Sequence, residues 1–194
     1  MKVLSHFVLW SVGLAEAETQ TSERERAALE EAARGRARLV EIGVWHGVTT
    51  ARLRGAMSGS GVLYAVDPFE PGRLGFSMQR LIAKREVSRV KSGQIRWLRL
   101  PSVAAAPRVL ADGPVDFVFI DGDHSYEALA ADWNVWSSGI LPGGAIALHD
   151  SVSSATRNIE EAGSVRYTRE RIAVDRRFRH ERTVDTLTLW TRRG

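Results

Sequence analysis

The chain contains no cysteine, which rules out disulfides, cysteine-ligated zinc and a thiol nucleophile. Long apolar runs are also missing. The mostly apolar stretch from Val3 to Leu14 is interrupted by Ser5, His6 and Ser11, and nothing approaches the roughly 18 apolar residues that a membrane span needs. Aromatic residues make up 8% of the chain and are not interleaved with basic ones, as a base-stacking surface requires. No long block of one charge exists either. The 27 basic and 23 acidic residues leave a net charge of +4, and no arginine run exceeds two. The excess sits at one end, since residues 164–194 hold nine Arg against four acids. With acids interleaved, that segment reads as a solvated surface before it reads as an anion-binding tail.

The 194 residues suffice for one domain with a full core. Residues 1–20 read as an N-terminal arm or packing helix and 21–194 as a single domain. Lys2, the apolar stretch and Ala15-Glu16-Ala17 have the outline of a secretory signal, but the intracellular cofactor argued below favours the arm and a cytoplasmic location. Ser22 and Glu25 stand at capping-box spacing and open a helix to about Arg34. Strands are expected at Arg38–Ile42, Val62–Val66, Ile95–Leu100, Val115–Ile120 and Ala145–Leu148. Helices are expected at about Val48–Met57, Phe76–Val90, Val103–Leu110, from Ser125 onward, and Ser154–Ala162. Residues 69–75 read as a loop and Leu141–Gly144 as a Gly-rich turn. Val184–Thr191 alternates apolar and polar residues, as an antiparallel edge strand does, whereas 164–182 has no clear pattern. Strands alternating with helices imply a doubly wound α/β domain.

In such sheets ligands bind beyond the carboxyl ends of the strands. Three strand ends carry chemistry. The first is Glu41-Ile-Gly43-Val-Trp45-His-Gly47. Its G-x-x-x-G spacing is not the G-x-G-x-x-G of dinucleotide binders. Gly43 permits a tight turn, Gly47 opens the next helix, and Trp45 could pack on a ligand. An acid such as Glu41 repels phosphates but suits an ammonium group. The second is Asp67-Pro68, whose acid can accept hydrogen bonds from ribose hydroxyls. An amino acid at one end and a nucleoside at the other describe S-adenosylmethionine (SAM). The third strand end, Asp121-Gly122-Asp123-His124, lies beside the fourth, His149-Asp150. Two acids at adjacent strand ends suit Mg²⁺, while a histidine such as His124 can act as a general base near neutral pH. Asp121, His124 and Asp150 are therefore the expected catalytic groups. His149 would join Asp121 and Asp150 around a metal, and as a nitrogen ligand would favour Mn²⁺ or another transition ion over Mg²⁺.

VEIGVWHGVTT, VLYAVDPF, FIDGDHSYEALAADW and LPGGAIALHDS resemble the small class I SAM-dependent methyltransferases. The branch is the one related to macrocin-type sugar O-methyltransferases and cephalosporin-hydroxylase-like proteins. The resemblance spans about residues 20–155. It implies a Rossmann-like, seven-stranded, mostly parallel sheet with an antiparallel last strand. It implies that Glu41 and Gly43 hold the methionine end and Asp67 the ribose, with Ser102 near the adenine. In metal-dependent relatives the second acidic strand end is a pair of acids, matched here by His149-Asp150. The expected function is O-methylation of a hydroxyl on a small metabolite, a glycoside or other secondary metabolite, with a homodimer as the assembly left open. Two alternatives remain. One is an RNA methyltransferase gripping phosphates with residues 164–194 and the helix bearing Arg80, Lys84, Arg85, Arg89 and Lys91. The other is a non-catalytic SAM-binding protein.

Overall fold

A computed structural model describes residues 2–72 and 75–194. Arg73 and Leu74, in the expected loop 69–75, lie outside the described residues. Seven strands form one sheet: β1 (Arg38–Ile42), β2 (Val62–Val66), β3 (Gln94–Leu98), β4 (Val115–Ile120), β5 (Ile140–Leu148), β6 (Phe178–Val184) and β7 (Leu187–Arg192). Their order is β3-β2-β1-β4-β5-β7-β6. The pairs from β3 through β5 are parallel, and β7 runs antiparallel to both neighbours.

The period of two along each strand assigns the two faces. Leu39, Leu63, Phe117, Phe119, Ala145 and Ala147 pack on α2 (Glu23–Ala33) and α3 (Val48–Ala56). Val40, Val66, Val118, Ile120, Ile146 and Leu148 turn to the other face. There they meet α5 (Ser102–Leu110) and α6 (Tyr126–Ser138). Crossovers on both faces make the sheet doubly wound. The switch point falls between β1 and β4, where the chain order reverses.

The N-terminal helix α1 (Lys2–Ser11) packs through Trp10 on α4 (Met78–Ser88). The indole Nε1 donates to Glu86 Oε1 at 3.1 Å, and the Arg85 guanidinium lies 5.1 Å over the ring. The expected capping box of α2 is present: Ser22 N donates to Glu25 Oε2 at 2.7 Å, and Glu25 N to Ser22 Oγ at 3.1 Å. Pro107 sits inside α5 without ending it.

Four expectations need correction. Residues 154–162 are loop, not helix; the helix is α7 (Gly163–Tyr167), continued by a π-helical turn over Thr168–Ile172. The strand over 184–191 is not at the edge. It is β7, paired on both sides, and the edge is β6, which lies in the segment that had no pattern because its outer face is solvated. The Gly-rich turn 141–144 is part of β5, which starts at Ile140 and slips register against β4 between Val115 and Phe117. Gly143 there has φ 77°, the irregular geometry that the glycine pair allows. The third strand starts and stops earlier than its expected Leu100, at Gln94–Leu98.

Candidate active site

A cleft of about 520 Å³ opens at the carboxyl ends of β1, β2 and β4. That size suits a small ligand or cofactor. Of the expected residues, Gly43, Trp45, Asp67, Pro68, Ser102, Asp121 and His124 line it. Glu18, Thr19 and Gln20 of the N-terminal arm complete one wall.

The first turn is set by contacts between strand ends. Gly43 has φ 82°, and a Cβ there would lie 2.0 Å from the carbonyl oxygen of Asp121. Only glycine fits where β1 and β4 converge. Gly47 (φ 76°) is needed for a different reason: its Cβ would lie 2.9 Å from Ala83 Cα, so it admits α4 against α3 and stays outside the cleft lining. Asp67 organises the same turn. Its Oδ2 accepts from the amides of Val44 (2.9 Å) and Trp45 (3.2 Å), and its Oδ1 accepts from Phe69 N at 2.7 Å. The carboxylate is thereby pinned at the cleft wall. Trp45 takes the left-handed region (φ 51°) and stacks on His46 at 5.0 Å, and the residue is 40% exposed.

Glu41 lies elsewhere than an ammonium-binding acid would. Its odd position in β1 turns it to the α2/α3 face, where it is wholly buried beneath the lining. Burial pushes its carboxyl well above the usual range. Thr50 opposes that push, and the nearby Asp121 and Asp67 reinforce it.

The β4 and β5 ends form one charged array. His149 N donates to Ile120 O at 3.0 Å, holding the two ends together. His149 continues the odd-numbered alternation of β5, so its ring enters the α2 face with no exposed surface. Its Nδ1 lies 2.8 Å from Asp121 Oδ1 and 3.8 Å from Asp150 Oδ1, while its Nε2 lies 3.6 Å from Glu25 Oε2. Burial pulls the imidazole pKa down, but Asp121, Glu25 and Asp150 outweigh it and raise it to about 10. Glu25 responds in kind. Burial pushes it up, yet His149, the Ser22 amide and Thr186 lower it to about 2. Thr186 supplies two bonds to Glu25 Oε1, from N at 2.9 Å and Oγ1 at 2.8 Å. Asp150 (φ 48°) is 2% exposed and pairs with Arg157 Nη2 at 2.6 Å. His124 stands above the array at the cleft, its Nε2 3.8 Å from Asp121 Oδ1 and 3.7 Å from Asp150 Oδ2. Ser125 caps α6, accepting from Ala128 N at 3.3 Å, and Asp123 accepts from Ser125 N at 2.8 Å.

Asp121, His124 and His149 bring donor atoms within 4.8 Å of one another. The expected metal set had Asp150 in place of His124. A ligating imidazole must be neutral, and the carboxylates around His149 raise its pKa to about 10. Asp150 already has its cation in Arg157. Two acids at adjacent strand ends do need a positive charge between them, and the protein supplies it from His149 and Arg157. Sequence reading took Glu25 for a cap alone and did not single out Arg157 or Asp132. Arg157 comes from the loop that was expected to be helix. Asp132 lines the cleft although only 6% exposed; its signal was an acid three residues after Leu129, on the inward face of α6.

The sequence matches a family model described as a methyltransferase domain over residues 40–151. Among curated proteins no sequence matches. Solved structures do. Rv0187 from MTB, solved with its cofactor, is 20% identical with TM-score 0.76, covering 100% of this chain and 91% of that one. TomG from Streptomyces achromogenes, an O-methyltransferase involved in tomaymycin synthesis and solved with SAM, is 17% identical with TM-score 0.70, covering 100% and 91%. An O-methyltransferase from Bacillus cereus, in complex with S-adenosylhomocysteine (SAH), is 20% identical with TM-score 0.67, covering 98% and 89%. The matched segment runs from within β1 through β5 and holds every strand end that carries the site, and with it the chain belongs to the methyltransferase-domain family, on a class I Rossmann-like fold.

Proposed function

We propose that the protein transfers a methyl group from SAM to a hydroxyl of a small metabolite. The observation that carries this is the order of the strand ends along the cleft. Asp67 after β2 and Ser102 after β3 lie on one side of the Gly43 turn, and the His124–Asp121 pair after β4 on the other. The TomG and Bacillus cereus relatives, both named O-methyltransferases and solved with SAM or SAH, support the same assignment. SAM's nucleoside occupies the Asp67–Ser102 end and its sulfonium the Gly43 turn. The cytoplasm, where SAM is available, is the expected location.

The reaction is an in-line displacement. The substrate oxygen attacks the methyl carbon, the C–S bond breaks, and SAH leaves neutral at sulfur. Holding the two reactants aligned can supply roughly 7–11 kcal/mol of the barrier. The hydroxyl proton passes to His124. Asp121 and Asp150, each within 4 Å of His124 Nε2, stabilise the imidazolium that forms. His149 and Arg157 pair with those two acids and hold them in place.

The RNA alternative is less well supported. Arginines of 164–194 are engaged within the fold: Arg169 pairs with Glu160, Arg177 with Asp175, Arg179 with Glu181, Arg182 with Glu31, and Arg192 donates to the Ile140 carbonyl. Among the described residues no helix is long and apolar enough to cross a membrane. The test is methyl transfer from radiolabelled SAM to a panel of phenols, glycosides and bulk RNA. Label on a small hydroxyl compound supports the proposal, and label on RNA alone overturns it.

A further inference from the structure

One hydrogen bond ties the cleft-lining part of the N-terminal arm to the turn after β1. Glu18, Thr19 and Gln20 form a wall of the cleft. Among the described residues, the backbone of 15–20 makes a single hydrogen bond to the rest of the protein, from Glu18 N to His46 Nδ1 at 3.0 Å. The strap is anchored separately at its two ends. Trp10 holds it to α4, and Thr21 Oγ1 lies 3.4 Å from Thr49 Oγ1 on α3. His46 itself is 3% exposed. Its ring stacks on Trp45 at 5.0 Å and on His6 of α1 at 5.2 Å, the two imidazoles within 5° of parallel. The Glu18 carboxylate reaches back to His6, with Oε1 3.4 Å from Nδ1.

A ring nitrogen that accepts from an amide carries no proton, so His46 is held neutral with its one proton on Nε2. A second proton would go to Nδ1 and set a donor against the Glu18 N–H. The bond would be lost and a charge left in a buried place. We propose that His46 is a proton-operated latch on the arm: neutral, it holds residues 15–20 as a wall of the cleft, and protonated it lets them go. The titratable groups facing the ring are His6 from α1, Glu18 from the arm and Glu86 from α4. Burial pulls the imidazole below its usual range, Glu18 and Glu86 oppose that pull, and His6 adds to it. With the pKa lower in the closed arm than in the open one, protons favour opening. The wall is complete above the ordinary histidine value of about 6.5 and loosens as pH falls below it. One proton is linked to opening, so the closed-to-open ratio falls by up to about tenfold per pH unit. The latch acts on the empty cleft and does not depend on which ligand fills it.

The experiment is amide hydrogen exchange on the full chain without ligand, from pH 8 to pH 5, corrected for the intrinsic exchange rate. The readout is protection of residues 15–20, with the amides of β4 as the reference for global opening. In wild type, protection of the arm falls by up to about tenfold per pH unit below about pH 6.5 while β4 stays protected. His46→Asn places an amide oxygen where Nδ1 stood. It accepts from Glu18 N and does not titrate, so arm protection persists to pH 5. His46→Leu has no acceptor and leaves the arm unprotected at every pH. His6→Phe keeps a ring in the stack and retains the wild-type pH dependence, and it serves with wild type if the His46 variants do not fold. Constant protection of the wild-type arm from pH 8 to pH 5, or a decline that β4 shares equally, overturns the proposal. So does the same decline in His46→Asn, which would place the sensor on Glu18, Glu86 or His6, or its disappearance in His6→Phe, which would place it on His6.

Discussion

His149 Nδ1 lies 2.8 Å from Asp121 Oδ1, below the cleft and away from water. The contact joins a buried imidazole, its pKa raised to about 10, to the acid at the end of β4. Glu25 closes the array from the other side of the ring, 3.6 Å from Nε2. Together they make an α2 side chain part of the support of the site.

Stability should therefore depend on pH at both ends. His149 has a folded pKa raised from 6.5 to about 10, so its contribution is complete below 6.5 and is lost as pH rises through about 10. Glu25 has a folded pKa lowered from 4.5 to about 2, so its contribution is complete above 4.5 and is lost as pH falls through about 2. Scanning calorimetry should place the highest Tm between roughly pH 5 and 6.5, with an alkaline decline that His149→Gln flattens. That variant should lose about 3–5 kcal/mol at pH 6, because Asp121 and Glu25 are left without their cation. A Tm still rising from pH 7 to 10 would contradict the assignment.

Chelation should leave methyl transfer intact. The charges that a divalent ion would neutralise are met by His149 and Arg157. His124→Ala should lower kcat by about a hundredfold or more, the range of a lost general base. Loss of turnover in EDTA, restored by Mg²⁺ or Mn²⁺, would reinstate the metal.

The two turn glycines should fail differently. Gly43→Ala meets the Asp121 carbonyl at 2.0 Å with φ 82° and should cost at least about 2–3 kcal/mol in urea denaturation. It should also abolish SAH binding, because the strand ends that line the cleft must part. Gly47→Ala meets Ala83 across the α3/α4 contact, so it should lose stability with less effect on SAH affinity. Equal loss of binding in both would show that Gly47 also faces the ligand.

The parallel core of the fold was legible because buried strands are written as dense apolar runs, as in Val115–Ile120, and because β1, β2 and β4 run straight into Gly43, Asp67 and Asp121. The C-terminal third was less so. β6 carries Arg179, His180 and Glu181 at an exposed edge, where no face demands apolar residues. The loop 152–162 could not be told from a helix, since its role is to deliver Arg157 to Asp150 rather than to bury a stripe. The acids at the strand ends were recognisable as a constellation, but their partners were not. Glu25 lies 124 residues from His149 in sequence, and the contact depends on which face of β5 the ring takes. Glu41, read as a ligand for an ammonium group, turns into the buried α2/α3 face for the same period-two reason.

Asp67→Ala should weaken SAH by about 1–3 kcal/mol, from the lost ribose bonds. Part of that loss should come from the turn itself, since the Val44 and Trp45 amides lose their acceptor. Asp67→Asn, which keeps an oxygen for the turn, should lie between wild type and Ala in calorimetry. Unchanged affinity in Asp67→Ala would remove the ribose from this strand end.

The most direct measurement is a crystal structure of the protein with SAH. The account predicts density for one molecule in the cleft, its homocysteine beside the Gly43 turn, its ribose on Asp67, its base between Pro101 and Ala131, and its sulfur facing the His124 end. An empty cleft at saturating SAH, or SAH bound away from the ends of β1, β2 and β4, would contradict it.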